Sequence, residues 1–553
     1  MGKKILIVGG VAGGASAAAR LRRLDEDAEI ILFERDGYIS FANCGLPYYI
    51  GGTIEEREYL MVQTPEDMNA RFKIDVRIFS EVTHVDTDNK KVIVKSRDRG
   101  AYEESYDNLV LSPGARPLKP AIPGIDGDRI FSLRNIPDTD TIKKYIDDLN
   151  TSEESSAIVI GGGFIGVEMA ENLIMLGIDV TLVEAAPHIL APFDEDMVMM
   201  AEQELTRGGI KLILGDGVKS FAEKDSQVEV TLASETKLTA DMVILAIGVT
   251  PDTGFLKESG IELGPRGHII VNKRMETSAL GVYAVGDAVE VIDYITGAKT
   301  AIPLAGPANK QGRIAADNIA GLDSVYEGSQ GTSIIKVFNL TAASTGLNER
   351  MLSKNDITYH AVFVHPASHA SYYPGARQMT LKLIFAEDGK ILGAQGIGYD
   401  GVDKRIDVIA AVIRMKGTAK DLTELELSYA PPYSSAKDPV NMAGFVAENV
   451  LNGIAHMITW NQVQKLEPEN YVMLDVRTDM EYRYGHIDGA LNIPVDELRE
   501  RIDELPKDKL ILAYCRVGVR GYIADRILSQ KGYNVKNITG GYQSIHAFQK
   551  NKK

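Results

Sequence analysis

The chain contains two copies of one pattern, in which a buried strand, a glycine-rich turn, a helix and a second strand ending in an acidic residue follow one another. In the first copy the strand 5–8 leads into the glycines, a helix is expected from Ala15 to Leu24, and the second strand, Glu29 to Phe33, ends in Glu34. Parallel strands joined in this way place helix N-terminal amides against a pyrophosphate and the acidic residue against a ribose. The pattern therefore predicts an α/β protein with two Rossmann-like dinucleotide-binding domains.

The second copy matches the dinucleotide fingerprint more closely than the first. Its three glycine positions are all filled, whereas Val11 replaces the middle glycine of the first copy. Glu184, at the end of the second strand, is followed by two alanines and by no arginine that could hold a 2′-phosphate, which favours NADH over NADPH. The predicted nucleotide-binding residues are Gly9, Gly10, Val11, Ala12, Gly13, Gly14, Glu34, Arg35 and Asn43 in the first copy, and Gly161, Gly163, Phe164, Ile165, Gly166, Glu184 and Gly248 in the second.

Two later segments are expected to complete the first nucleotide site. One is the turn after the apolar strand 109–111, and the other follows a strand that starts at Val282 and ends in an aspartate suited to flavin ribityl hydroxyls. A helix expected from Pro307 to Ala320 would direct the positive end of its dipole toward a flavin ring. The residues assigned to this closure are Ser112, Pro113, Gly114, Gly286, Asp287, Pro303 and Ala305.

Cys44 lies just after the first nucleotide unit and is one of only two cysteines among 553 residues. With no second cysteine nearby, it cannot form a local dithiol pair, so a redox partner must be an external sulfur or oxygen. A lone intracellular cysteine is often buried and inert. The neighbouring dinucleotide motifs instead favour a reactive thiol that receives a hydride equivalent through two dinucleotides.

Composition limits the partners and the compartment. The net charge of −17 argues against nucleic acid or an anionic membrane as the main partner. Two cysteines in different domains exclude a disulfide framework and suit a reducing cytoplasm. No signal peptide and no apolar run of about 18 or more residues is present, so neither export nor a membrane span is expected. No metal site is predicted.

Tyrosines cluster in the loops of the region that follows the nucleotide domains. Hairpin strands are expected at 379–385 and 391–397, with a tyrosine-bearing loop before them and a second one after the last helices. Loop tyrosines are commonly plain hydrogen-bonding surface, so their spacing alone assigns no role. The candidates are Tyr372, Tyr373, Tyr429 and Tyr433.

After Asn452 and Gly453 a new series of buried strands and helices begins, and it contains the second cysteine. Cys515 stands between a buried strand, 510–514, and a helix expected from Gly521 to Gln530, so backbone amides and the helix dipole should lower its thiolate pKa. The loop spacing is Cys-x4-Arg, one residue shorter than in cysteine phosphatases, which suits a terminal sulfane sulfur better than a phosphate. A phosphatase or a purely regulatory module is the alternative. The predicted loop residues are Arg516, Val517, Gly518, Val519 and Arg520.

Residues 1–450 resemble the coenzyme A-disulfide reductases, which are single-cysteine flavin- and pyridine-nucleotide-dependent enzymes, and residues 455–553 resemble a rhodanese domain. The first resemblance rests on segments 9–14, 40–48, 161–168 and 429–433. It implies FAD in the first domain, NADH or NADPH in the second, and a homodimer built by residues from about 330 to 445. Residues that match coenzyme A-contacting positions of the family are Ser16, Arg20, Arg23, Ser40, Asn43, Arg71, Asn309 and Lys437.

The resemblance also gives roles to the loop tyrosines. Tyrosines of the partner subunit flank the active cysteine in this family and donate to a leaving thiolate, with Tyr429 the better match and Tyr433 the next. The resemblance does not distinguish Tyr372 from Tyr373. The expected domains are an FAD-binding domain at 1–150 and 276–328, an NAD(P)H-binding domain at 151–275, an α+β dimerisation domain at 329–448 and an α/β rhodanese domain at 455–553.

The predicted function is NAD(P)H-driven reduction, through FAD, of a mixed disulfide between Cys44 and coenzyme A. Coenzyme A disulfide, its persulfide or a polysulfide would be the substrate, and Cys515 would deliver sulfane sulfur. One alternative is an NADH peroxidase or oxidase that cycles Cys44 through sulfenic acid. Another is a redox-sensing or sulfur-carrying scaffold in which the flavin half only regulates.

Overall fold

The computed structural model describes residues 2–149 and 155–550 and divides them into two compact units. The first unit comprises Met1–Ile189 and Gly209–Gly331, and the second comprises Leu190–Gly208 and Thr332–Lys553. The mixed α/β class predicted from the sequence is confirmed. No helix within the described residues is long and apolar enough to cross a membrane.

The first sheet of the first unit is entirely parallel and contains the first glycine turn. Apart from the edge strand Asp75–Arg77, its strands are short apolar runs whose side chains are mostly buried, as expected for a sheet covered on both faces. Helix Ala12–Leu24 packs closely against helix Ala305–Ile319, and this approach requires a glycine, because a Cβ on Gly312 would lie 2.3 Å from the Gly13 carbonyl oxygen. In spatial order the strands are Val282–Ala284, Asn108–Leu111, Lys4–Val8, Glu29–Phe33 and Asp75–Arg77.

The second sheet repeats this architecture around the second glycine turn. It is also parallel, with helices Phe164–Met175 and Ile136–Asp148 beside it. An antiparallel three-stranded sheet accompanies each parallel sheet: Ser80–Asp86, Lys91–Ser96 and Gly100–Ser105, then Val218–Lys224, Gln227–Leu232 and Lys237–Ala240. The strands of the second sheet, in order, are Lys211–Leu214, Asp179–Glu184, Ser156–Ile160, Met242–Leu245 and Ile130–Ser132.

The third sheet lies in the second unit and is antiparallel throughout. Helices Glu195–Arg207, Val402–Arg414 and Pro439–Leu451 belong to the same unit. The predicted hairpin is present as its two neighbouring strands, Thr380–Phe385 and Ile391–Gly398. In order, the strands are Ser333–Val337, Leu340–Gly346, Ile391–Gly398, Thr380–Phe385 and His360–Val364.

The fourth sheet is parallel and carries the second cysteine at the end of its central strand. Its strands are interleaved with helices Trp460–Val463, Asp479–Tyr484, Val519–Gln530 and Gly541–Lys550. This region contacts the edge of the third sheet within the second unit, where the Phe363 N–H donates to Thr539 Oγ1 at 2.9 Å. The strands are Met457–Ile458, Val535–Ile538, Leu510–Tyr514, Tyr471–Asp475 and Leu491–Asn492.

Three helix boundaries differ from the sequence prediction. The first helix starts at Ala12 rather than Ala15, because Gly13 and Gly14 are its first turn and not part of the preceding loop. The helix predicted from Pro307 starts at Ala305, and the one predicted from Gly521 starts at Val519. In each case the loop before the helix is shorter than expected.

Candidate functional site

The first glycine turn has the geometry of a pyrophosphate cradle. Gly9 adopts φ +93°, and a Cβ there would lie 2.1 Å from the Ser112 carbonyl oxygen, so only glycine fits between the two strand ends. The Gly10 N–H donates to Glu34 Oε2 at 2.9 Å, which fixes the acidic residue beside the turn. Within the described chain, no side chain caps the helix that follows Val11, so its first N–H groups remain available to an anion.

The predicted closure of this site is brought to the same edge of the first sheet. Ser112 follows the strand beside the first one, and its Oγ would lie 3.0 Å from a Cβ on Gly13. The Gly286 N–H donates to Gln311 Oε1 at 2.8 Å. The pKa of Asp287 is raised, chiefly by burial, with opposition from Arg134, and no donor from the described residues contacts its carboxylate. A carboxylate in this state fits the hydroxyls of a bound FAD.

Arg35, predicted as a nucleotide-binding residue, has an acidic partner within the described residues. Its Nη2 atom lies 2.5 Å from Asp252 Oδ2, so its guanidinium is already paired within the first unit. Pro303 and Ala305 stand at the start of the helix Ala305–Ile319, and Asn43 opens the short 3₁₀ turn that contains Cys44.

The second glycine turn is more open than the first. Gly161 adopts φ +106° and closes against the Ala246 carbonyl, whereas a Cβ on Gly163 or Gly248 would meet no atom within 4 Å. Glu184 accepts from the Gly162 N–H at 2.6 Å and from the Ala186 N–H at 2.7 Å. This space beside an uncapped helix N-terminus fits a second dinucleotide. The other predicted residues, Phe164, Ile165 and Gly166, form the first turn of that helix.

Cys44 stands in an exposed 3₁₀ turn, Asn43–Gly45, at the N-terminal side of helix Leu46–Ile50. Ser40, four residues earlier, has a left-handed backbone with φ +44°, which is uncommon for a residue other than glycine and often marks a functional site. The segment is held from one side, because the Ala42 N–H donates to the Leu60 carbonyl and the Val62 N–H to the Ser40 carbonyl. The thiol is therefore presented on a constrained loop.

The surroundings of Cys44 favour the protonated thiol. Its pKa is raised first by burial of the sulfur against the protein, although the residue as a whole is exposed, and then by the carboxylates of Glu168 and Asp287. Burial also raises the pKa of Glu168 to about 7, and the Tyr48 hydroxyl donates to its Oε1 at 3.4 Å. Glu168 is a site residue that the sequence prediction missed, although it lies inside the segment 161–168.

A cavity of about 370 Å³ opens beside the first helix, and Ser40, four residues before Cys44, is one of the residues that line it. It also includes Arg313 and Gln63, which were not predicted. Of the eight predicted coenzyme A positions, Asn43 does not line it, and Lys437 belongs to the second unit. The six that do line it are Ser16, Arg20, Arg23, Ser40, Arg71 and Asn309.

The cavity is strongly cationic, although the protein carries a net charge of −17. Four arginines line it, and of these only Arg20 and Arg313 approach an acid, sharing Asp317 at 2.7 and 3.9 Å. No ion pair within the described residues involves Arg23 or Arg71. Arginines whose charge is not neutralised by the protein suit a ligand with several phosphate groups.

The four candidate tyrosines lie in the second unit and are all exposed. The structure separates them, because the hydroxyls of Tyr372 and Tyr429 are hydrogen-bonded at 2.8 Å, whereas the Tyr373 ring packs edge-on against His369. The hydrogen bond to Tyr429 raises the pKa of Tyr372. Either hydroxyl of this pair can be the donor, so the two phenols form one hydrogen-bonded unit. Tyr433 stands on the same loop as Tyr429.

A buried arginine connects the two tyrosine-bearing loops. Arg405, only 2% exposed, donates through Nη2 to the Ser368 carbonyl, to Ser434 Oγ and to Asp438 Oδ2, at 3.0 to 3.1 Å. The Ala370 N–H also bonds the Ser434 carbonyl at 3.1 Å. The sequence analysis missed Arg405, because nothing in its own helix distinguishes it from an exposed arginine.

Cys515 lies at the end of the strand Leu510–Tyr514 and is only 1% exposed. Its Sγ accepts the Gly518 N–H at 3.0 Å, so one amide of the loop faces the sulfur. Arg520 forms a bidentate ion pair with Glu481, both distances being 2.7 Å, and holds the pKa of that carboxyl at about 2. Arg516 and Val519 point to solvent, and Val517 lines the turn between them.

Comparison with known proteins agrees with these observations. Residues 3–312 match the pyridine nucleotide-disulphide oxidoreductase family, residues 332–439 match its dimerisation domain, and residues 461–548 match the rhodanese-like domain. The coenzyme A disulfide reductase of Staphylococcus haemolyticus is 37% identical over 451 residues, which are 81% of this chain and 100% of the relative.

Two solved structures extend the similarity over both units. Reduced CoADR-RHD of Bacillus anthracis is 50% identical, with a TM-score of 0.96 over 99% of this chain and 98% of the other. An NAD-dependent persulfide reductase from A. fulgidus is 36% identical, with a TM-score of 0.90 over 97% and 99%. The chain therefore belongs to the pyridine nucleotide-disulphide oxidoreductase family, which implies FAD and NAD(P)H as cofactors, and it carries a rhodanese-like domain after its dimerisation domain.

Proposed function

We propose that the chain reduces coenzyme A disulfides and persulfides at Cys44, with NADH as the preferred electron donor. The observation that carries this proposal is the cationic cavity, because it reaches Ser40, four residues before Cys44. Coenzyme A has phosphates at one end and a thiol at the end of a long flexible arm. Phosphates held by Arg23, Arg71 and Arg313 would leave that arm free to extend along the 40–44 segment to the thiol.

The residues of the chain divide the chemistry between them. The Cys44 thiolate attacks one sulfur of a coenzyme A disulfide, forming a mixed disulfide and expelling the other half as a thiolate. With the persulfide, attack on the coenzyme A sulfur expels hydrosulfide. FAD, once reduced by NAD(P)H, supplies the two electrons that return the mixed disulfide to the Cys44 thiolate and a coenzyme A thiolate.

The tyrosine pair is suited to protonate the expelled thiolate. The hydroxyls of Tyr372 and Tyr429 are exposed and hydrogen-bonded to each other, so either of them can donate a proton while the other supports it. In a homodimer built by the dimerisation domain, these tyrosines would serve the Cys44 of the partner subunit. The resemblance to the coenzyme A-disulfide reductases supports this arrangement, and Tyr433 is the second candidate.

The rhodanese-like domain would supply sulfane sulfur. A persulfide on Cys515 would be attacked by the thiol of coenzyme A, which gives coenzyme A persulfide and restores the Cys515 thiol. That product is a substrate for Cys44. The loop that holds Cys515 supports sulfur transfer over phosphatase chemistry, because it is shorter than the Cys-x5-Arg loop and encloses a sulfur that is 1% exposed.

The two cysteines make one decisive experiment possible. Cys44→Ser is expected to abolish NADH-dependent reduction of coenzyme A disulfide while FAD stays bound. Cys515→Ser should spare that reaction and lower NADH-linked sulfide release from polysulfide at limiting coenzyme A. Peroxide is the comparison substrate. Substantial disulfide reduction by Cys44→Ser would contradict the role of Cys44. Faster turnover with peroxide than with either coenzyme A substrate would favour the peroxidase alternative.

A further inference from the structure

A hydrogen-bonded path connects the third sheet to the backbone beneath Cys515, and its central member is His365. This residue directly follows the edge strand His360–Val364. Its Nδ1 lies 3.0 Å from Thr380 Oγ1 on the neighbouring strand, and its Nε2 lies 3.2 Å from the Gly540 carbonyl oxygen. One imidazole therefore bonds the dimerisation domain on one side and the rhodanese-like domain on the other.

The partners determine the tautomer of the imidazole. A carbonyl oxygen can only accept, so the proton must be on Nε2, and Nδ1 then accepts from the Thr380 hydroxyl. Burial lowers the pKa of His365 to about 4. The ring therefore remains neutral around pH 7, and its donor and acceptor pattern does not change over the working range of the protein.

The turn that His365 contacts holds the active loop of the rhodanese-like domain. The Tyr542 N–H donates to the Cys515 carbonyl at 2.7 Å, and the Gln543 N–H donates to the Arg516 carbonyl at 3.0 Å. The turn is packed tightly, because a Cβ on Gly541 would lie 2.5 Å from the Cys515 carbonyl oxygen. A displacement of the turn would therefore displace the backbone of Cys515.

The backbone of His365 also closes the loop that carries Tyr372. Gln378 Nε2 donates to the His365 carbonyl at 2.9 Å, and the Met379 N–H donates to the Pro366 carbonyl at 2.9 Å. The base of the tyrosine loop and the turn beneath Cys515 thus share one residue. A second hydrogen bond beside it runs from the Phe363 N–H to Thr539 Oγ1, the side chain of the residue that precedes Gly540.

We propose that His365 is a positioning residue for sulfur transfer at Cys515, because its side chain fixes the turn that holds the Cys515 backbone to the base of the Tyr372 loop. This inference rests on the proposed sulfur transfer. Loss of the imidazole leaves the Gly540 carbonyl without its side-chain donor and removes one of these two hydrogen bonds. The sulfur should then sample positions that are unproductive for attack, and misplacement of a reacting atom by about 1 Å can cost on the order of a hundredfold in rate.

The test uses the full chain and follows persulfide formation on Cys515 by mass spectrometry after mixing with inorganic polysulfide. His365→Leu is expected to lower the saturated loading rate by tenfold or more while the polysulfide concentration for half-saturation changes less than twofold. His365→Gln keeps an N–H for Gly540 and should restore at least half of the rate. His360→Leu is the matched control, since His360 begins the strand that ends just before His365, and its ring packs against Phe385 at 5.5 Å between centroids.

Hydrogen exchange separates positioning from a general loss of stability. In His365→Leu the amides of Tyr542 and Gln543 should exchange faster, while those of the strand Tyr471–Asp475 stay protected as in the wild type. A wild-type loading rate in His365→Leu, an equal loss in His360→Leu, or faster exchange throughout the fourth sheet would each overturn the inference. If wild-type Cys515 takes up no sulfur, the proposed sulfur transfer is wrong, and the exchange pattern alone then decides whether His365 fixes the turn.

Discussion

Replacing Arg405 with methionine should loosen both tyrosine-bearing loops. The change removes the guanidinium but keeps a long apolar side chain in a site where Arg405 and Asp438 are each 2% exposed. Removal of one partner from a buried ion pair typically costs about 3–5 kcal/mol, because the remaining charge is left without compensation.

Asp438 keeps other contacts in this variant, so the expected loss of stability lies at the lower end of that range. Asp438 still accepts from Ser434 Oγ at 2.7 Å and from the Val440 N–H at 3.0 Å. Lys404 Nζ, 4.0 Å from Asp438 Oδ2, supplies a weaker positive charge. We therefore expect the free energy of opening the two loops to fall by about 3 kcal/mol, which corresponds to on the order of a hundredfold increase in local opening.

Native-state hydrogen exchange measures this opening directly. The reporter amide is Ala370, whose N–H bonds the Ser434 carbonyl across the two loops, and it should exchange about a hundredfold faster in Arg405→Met. Arg377→Met is the control, because Arg377 is exposed in the same loop and only stacks on Tyr399. The double variant Arg405→Met with Asp438→Asn should recover part of the protection.

Unchanged exchange at Ala370 in Arg405→Met would refute the conclusion that the arginine holds the loops together. An equal effect of Arg377→Met would also refute it, because the loop would then respond to any loss of charge.

Two further changes test the chemistry around the thiol. In rapid-mixing kinetics, Tyr372→Phe and Tyr429→Phe should each slow the disulfide half-reaction by on the order of a hundredfold, and the double variant should be no slower than either. Tyr373→Phe should react at the wild-type rate, and additive losses in the double variant would mean that the two hydroxyls act independently. Glu168→Gln removes a carboxylate that raises the Cys44 pKa, so the midpoint of thiol alkylation against pH should move to lower pH, and an unmoved midpoint would show that Glu168 does not act on the thiol.

The sequence predicts those parts of the molecule whose function depends on a short, continuous segment of the chain. The glycine turns, the loop of Cys44 and the loop of Cys515 can be recognised because each depends on residues adjacent in the chain. Arg405 could not be recognised in this way, since its partners Ser368, Ser434 and Asp438 lie 29 to 37 positions away.

The same limit explains the other residues that were missed. His365 meets Gly540 across 175 positions, and its role exists only after the third and fourth sheets are in contact. Arg313 lies one turn after Asn309, which the resemblance assigned to coenzyme A, but nothing in the local sequence distinguishes Arg313 from an arginine on an exposed helix face. Helix starts were misplaced for a simpler reason, because glycines that favour turns also form the first turn of a tightly packed helix.

The helix Ala305–Ile319 has a thermodynamic consequence of its own. Near its middle Gln311 holds the Gly286 backbone beside Asp287, and Asn309 and Arg313, two residues before and after Gln311, line the cationic cavity. A ligand whose phosphates shift this helix therefore changes the free energy of flavin binding. If coenzyme A is that ligand, linkage requires that flavin binding change the affinity for coenzyme A by the same factor.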